Sequence, residues 1–196
     1  MSNINPWIGF NSYTEYDSKI FRGRNEDAKN LIEIIDQSKL SLLYSESGIG
    51  KTSLINAAII PVLREKYFFP VVIRFSDAYL ASLDSNNIES IGDVIFETIE
   101  NEVKLFSDNH YPVTLEYPSL KDTSTNILNS LWWRIRHIEI KASIANISIT
   151  YTPFLIFDQI ERLFYNNIKD VAIESFFKLI KELSIDYIPE RFFHSN

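Results

Sequence analysis

Residues 45–52 read Ser-Glu-Ser-Gly-Ile-Gly-Lys-Thr, and nothing else in this chain of 196 residues restricts its fold as tightly. The apolar run Leu-Ser-Leu-Leu-Tyr at 40–44 leads into it and reads as a buried strand. Lys51, Thr52 and Ser53 then open a helix-compatible stretch that continues to residue 66. A strand, a glycine-bearing turn and Lys-Thr at a helix start make the arrangement of a phosphate-binding loop. Glycines let backbone N–H groups converge on phosphate oxygens without Cβ clashes. Two of the chain's five, Gly48 and Gly50, fall inside this window. The helix N-terminus adds N–H donors and a favourable dipole. The expected nucleotide contacts run through Ser45, Glu46, Ser47, Gly48, Ile49, Gly50, Lys51, Thr52 and Ser53. The Lys51 ammonium is expected on the terminal phosphates and the Thr52 hydroxyl on Mg2+. Ser45 stands where the pattern has its first glycine, which predicts weaker or altered binding rather than none.

Such a loop works with a carboxylate at the end of a buried strand, which holds Mg2+ through water. After Pro153, residues 154–158 read Phe-Leu-Ile-Phe-Asp, a predicted strand closed by Asp158. The next residue bears on turnover, because a Glu there could orient and deprotonate the attacking water. Gln159 occupies that place and can orient a water but cannot take its proton. Glu161, three residues beyond Asp158, becomes the candidate base if the chain turns helically. Hydrolysis supported by Lys51, Gln159 and Glu161 is expected to be slow.

Elsewhere helical periodicity alternates with short apolar runs, as in α/β folds. Asn25 reads as an N-cap, with Glu26 and Asp27 in the first turn and Ala28, Leu31, Ile32 and Ile35 at helical spacing. Residues 71–75 read as a second strand, opened by Pro70. Ile88, Ile91, Ile95, Ile99 and Val103 mark one amphipathic helix. Ile127, Leu128, Leu131, Ile135 and Ile138 mark another, with Trp132 and Trp133 as packing residues. Residues 107–122 read as a loop, and Ile173, Phe176, Phe177, Ile180 and Leu183 as a last helix.

A net charge of −7 argues against nonspecific binding to nucleic acid or anionic membranes. Arg134, Arg136, His137 and Lys141 cluster locally and read as the solvated face of a helix. The absence of cysteine excludes thiolate chemistry and fits a cytoplasmic protein. His110, His137 and His194 have no metal-ligand spacing. The longest apolar run, 54–63, contains Asn56 and Pro61 and falls short of the ~20 residues of a spanning helix. No signal-peptide pattern opens the chain.

Residues 5–9 (Asn-Pro-Trp-Ile-Gly), Tyr13, Thr14, Glu15 and Asp17, and 21–24 (Phe-Arg-Gly-Arg) resemble the entry segment of bacterial STAND NTPases of the novel STAND type. Residues 57–64, Ala-Ala-Ile-Ile-Pro-Val-Leu-Arg, are similar to that family's helix after the loop. Asp158-Gln159-Ile160-Glu161 looks like its Asp-Gln-aromatic-Glu signature, with Ile160 in place of the aromatic. The resemblance implies an entry segment at 1–24, with Gly23 and Arg24 contacting nucleotide, and a P-loop core at 25–196. Asn25 departs from the Glu that the family prefers after Gly-Arg.

For the fold, the resemblance implies an α/β P-loop NTPase three-layer sandwich with a parallel sheet. It also implies ATP (or GTP) and Mg2+, and a signalling switch with a protein partner or homo-oligomer. Bacterial antiviral defence and regulated cell death are its implied settings, with the effector outside this chain. In that family a further strand lies between the loop strand and the Asp strand. Residues 185–196 carry Pro189, which cannot donate within a central ladder. The sheet is therefore expected to be incomplete at the C-terminus, and the isolated chain to be marginally stable or to need a partner. The rival readings are an AAA-like or DNA-handling motor, a nucleotide-binding scaffold without turnover, and a small-molecule kinase.

Overall fold

The computed structural model describes residues 9, 11–76, 80, 88–117, 126–145, 147–165 and 170–192. The chain divides into two units, Met1–Phe68 and Phe69–Asn196.

The first unit is helical. A 3-10 turn at Glu15–Asp17 precedes α1 (Asn25–Gln37), and Arg24 rather than Asn25 takes the N-cap place. One continuous helical run follows the loop: α2 (Lys51–Leu54), a π-helical segment (Ile55–Ile59) and α3 (Ile60–Glu65). The π segment has a local cause. Pro61 has no N–H to return to the carbonyl of Ala57, and its ring crowds that carbonyl, so the turn before it widens. Leu54, Ala57, Ile59, Ile60 and Leu63 are buried along this run.

The expected strand at 40–44 is not formed. The segment is irregular, and Leu40, Leu42, Leu43 and Tyr44 are 58%, 83%, 37% and 90% exposed. An apolar run becomes a strand only where a neighbour takes up its N–H and C=O groups, and no described strand does so here.

The second unit holds a sheet of β1 (Phe68–Arg74), β2 (Val113–Glu116), β3 (Glu139–Ile144) and β4 (Ile147–Asp158), in the order β1-β4-β3-β2. Its β1 and β4 run parallel, with Phe75 N donating to Asp158 O at 3.1 Å beyond the end of β1. Both other pairings are antiparallel. The sheet is thus mixed, not parallel as expected. Ile144 faces Ile147, so only two residues of sequence separate β3 from β4, with Ala145 at φ 49°. So short a connection permits antiparallel strands alone. Of residues 107–122, expected as loop, 107–117 instead carry the end of α4 (Ile88–Asn109) and all of β2, and 118–122 lie outside the described residues.

Ser130 breaks the helix expected over 127–138 into α5 (Asn126–Asn129) and α6 (Leu131–His137). After β4 come α7 (Arg162–Tyr165) and α8 (Asp170–Leu183), then a 3-10 turn at Glu190–Phe192. Helix α8 packs on α4 and α6. The core lies between these helices and the sheet, centred on Phe69, Val71, Ile73, Ile95, Ile140 and Phe176.

The basic cluster is not a solvated helix face. Arg134 pairs with Asp93 and lies 4.7 Å over the Phe96 ring. Arg136 stacks at 4.5 Å on buried Trp132 and donates to Leu183 O, and burial lowers its pKa. Lys141 lies on β3 between Glu116 (2.7 Å) and Glu139 (2.6 Å), which hold its ammonium charged well above the usual lysine range. Among the described residues, no helix is long and apolar enough to cross a membrane.

Candidate functional site

The first unit gathers most of the predicted nucleotide residues around the start of α2. Gly48 and Gly50 sit at φ 83° and 87°, left-handed values that a side chain would strain. Gly50 is the N-cap of α2, and its carbonyl accepts from Leu54 N at 2.9 Å. Lys51 folds back over the loop, where Nζ donates to Ser45 O at 2.8 Å and Glu46 O at 3.0 Å. The ammonium therefore caps the loop's own carbonyls, and phosphate oxygens would compete with them as acceptors. Ser45 Oγ is buried with no hydrogen-bond partner among the described residues. Glu46, Ser47 and Ile49 are exposed, and Thr52 lies half-buried on the first helical turn.

The described part of the entry segment reaches the same loop, and residues 5–8 of the expected motif lie outside the described residues. Gly23 turns the chain at φ 85°, and Arg24 donates through Nη1 to Ile49 O at 2.9 Å while pairing with Asp27. Further back, the segment is tied to the helical run at three points. Tyr13 N donates to Ser53 Oγ (3.2 Å), Asn56 Nδ2 donates to Tyr13 O (3.1 Å), and Arg64 Nε pairs with Glu15 at 2.6 Å. Ser53, expected at the nucleotide, has its hydroxyl engaged by this strap.

The second unit holds the remaining predicted residues. Asp158 closes β4 and is 8% exposed. Arg74, at the end of the neighbouring β1, reaches its Oδ2 through Nε at 3.2 Å. Gln159 sits next at φ 62°, an uncommon conformation for a residue with a side chain. The chain then does turn helically, with Arg162 N on Gln159 O (3.0 Å) and Phe164 N on Glu161 O (3.0 Å). Glu161 is exposed at that turn.

Sequence reasoning missed Arg74 and the Tyr13–Asn56 tie. Arg74 had a readable signal. The apolar stretch 71–73 ends in a cation, just as 154–157 ends in an anion. The Tyr13 tie had none, since backbone partners leave no trace in residue type.

A family model described as Novel STAND NTPase 1 matches residues 6–191. No curated protein and no solved structure matches the chain.

Proposed function

We propose, from the premise that the chain belongs to the Novel STAND NTPase 1 family, that it is a switch module that binds Mg·ATP and hydrolyses it slowly. The observation that carries this reading is the loop itself. Gly48 and Gly50 are left-handed, Lys51 lies over the loop carbonyls, and Arg24 is fastened to Ile49. The donors suit the ligand. An ammonium and helix-start N–H groups match phosphate. Mg2+ is usually held by one or two protein oxygens together with substrate phosphates. The Asp158 carboxylate and Thr52 hydroxyl are hard oxygen donors of that kind. When bound, Mg2+ would neutralise charge on the terminal phosphates.

In this reading Lys51 exchanges its two carbonyl acceptors for phosphate oxygens, and Arg24 braces the loop. Gln159 orients a water, and Glu161 accepts its proton. Signalling through a protein partner or self-assembly, in antiviral defence or regulated cell death, belongs to the same proposal. GTP in place of ATP is its nearest variant. A scaffold without turnover is the second reading, favoured by Gln159 in the place of a proton acceptor.

Titration calorimetry with Mg·ATP and Mg·GTP on wild type and Lys51→Ala tests the site. Lys51→Ala is expected to abolish measurable binding, and equal affinities would sink the assignment. Glu161→Gln should bind like wild type and lose turnover. Absence of any turnover in wild type would favour the scaffold.

A further inference from the structure

We infer that Arg74 is a positioning residue that acts as a releasable counter-ion for Asp158 and sets the Mg2+ concentration at which the site loads. The inference rests on the proposed reading of Asp158 as the metal-side carboxylate, and it adds a residue that reading does not contain.

Burial makes a partner for Asp158 necessary. It is 8% exposed at the end of β4, where an uncompensated carboxylate would be costly. Arg74 supplies a counter-charge from β1, the parallel neighbour whose register continues to the Phe75–Asp158 backbone bond. The two partners differ sharply in exposure. Asp158's side chain is 9% exposed, but that of Arg74 is 49% exposed. The contact runs through Nε at 3.2 Å, at the long end of hydrogen-bond length. A long, half-solvated side chain in such a contact can leave at little cost.

Asp158 must exchange this guanidinium for a metal-bound water if it is to serve Mg2+, because two cations on one small carboxylate repel each other. Arg74 is therefore a competitor as well as a partner. It holds the Asp158 carboxylate in place while the metal is absent, and it raises the metal level needed for loading. A fixed structural pair would look different, with both side chains buried and a two-pronged contact.

The test uses the full chain with a fluorescent N-methylanthraniloyl ATP, titrated with Mg2+ in a chelator-buffered series. Arg74→Gln is expected to lower the half-saturating Mg2+ by about fivefold, the size of a partly exposed ion pair. Affinity for the metal-free nucleotide should barely change. An unchanged or raised half-saturation in folded Arg74→Gln would overturn the inference. If Arg74→Gln shows no cooperative thermal unfolding, Arg74→Met decides on the same readout. It keeps an unbranched apolar stem but loses the charge and the Nε contact, so a lowered half-saturation supports the inference and an unchanged one overturns it. Asp158→Asn separates the two levels. If its Mg2+ response equals wild type, the metal assignment itself fails. If it loses the response while the Arg74 variants leave theirs unchanged, only the role of Arg74 fails.

Discussion

Asp17 shows how one exposed side chain can order a segment with no buried residue of its own. Its Oδ2 accepts from Thr14 N at 2.8 Å and from Thr14 Oγ1 at 2.7 Å, closing the 3-10 turn that leads toward Gly23 and Arg24. These bonds, the backbone one foremost, hold its carboxyl below the usual aspartate range. Folding therefore favours the charged form. The contribution is present above the unfolded value of about 3.9 and is lost as pH falls through the lower folded value. The Thr14 amide shift, tracked by NMR from neutral pH downward, should accordingly titrate below a pH of about 3.9. Asp17→Asn should remove that transition, and a midpoint at or above the ordinary value would contradict this role. At this scale the phosphate loop is the most legible feature, because Gly48 and Gly50 are needed for backbone angles that residue type alone reveals. The Arg74 contact is less so, since its partner is 84 residues away.

Elements are legible where periodicity is long, and legibility breaks down where a partner decides. The α8 stripe of Ile173, Phe176, Ile180 and Leu183 predicts its helix correctly because a helix closes its own hydrogen bonds. Residues 40–44 look like a strand from composition but need a neighbouring edge, and no described strand provides one. The opposite error occurs at β2 and β3. Their polar, alternating residues look like loop and helix end until Val113 is set opposite Ala142. Ser130 looks like helix interior in the sequence and is a boundary in the structure. It is fully buried; its Oγ donates to Ile127 O at 2.6 Å and accepts from Trp133 N at 3.3 Å, ending α5 and capping α6 together. Ser130→Ala should lower stability by about 1–2 kcal/mol, the range of a lost N-cap. Chemical denaturation with an unchanged m-value would measure it, and a loss below a few tenths would show that the cap is dispensable.

At the scale of the whole molecule, burial is shared unequally between the two units. The sheet unit buries a continuous cluster in which Val71, Ile73, Phe75, Ile91, Ile95, Ile99, Leu131 and Ile140 are each 0% exposed. In the first unit, α1 and the 3-10 turn contain no buried residue, and among the described residues only the run from Leu54 to Leu63 does. Helix α1 has only a half-buried stripe of Ala28, Leu31, Ile32 and Ile35 against the π segment, and surface pairs such as Lys29–Glu33 at 3.8 Å contribute little. Its openings should therefore cost far less than global unfolding. Native-state hydrogen exchange makes this a measurable difference. Amides of α1 should exchange through local openings that respond weakly to denaturant. Amides of β4 and α8 should exchange only with global unfolding and share its denaturant slope. Addition of Mg·ATP should then slow exchange first around Gly50–Leu54, where the proposed ligand would engage the helix start. Equal protection of α1 and α8 would mean that the first unit draws stability from a source other than its own packing.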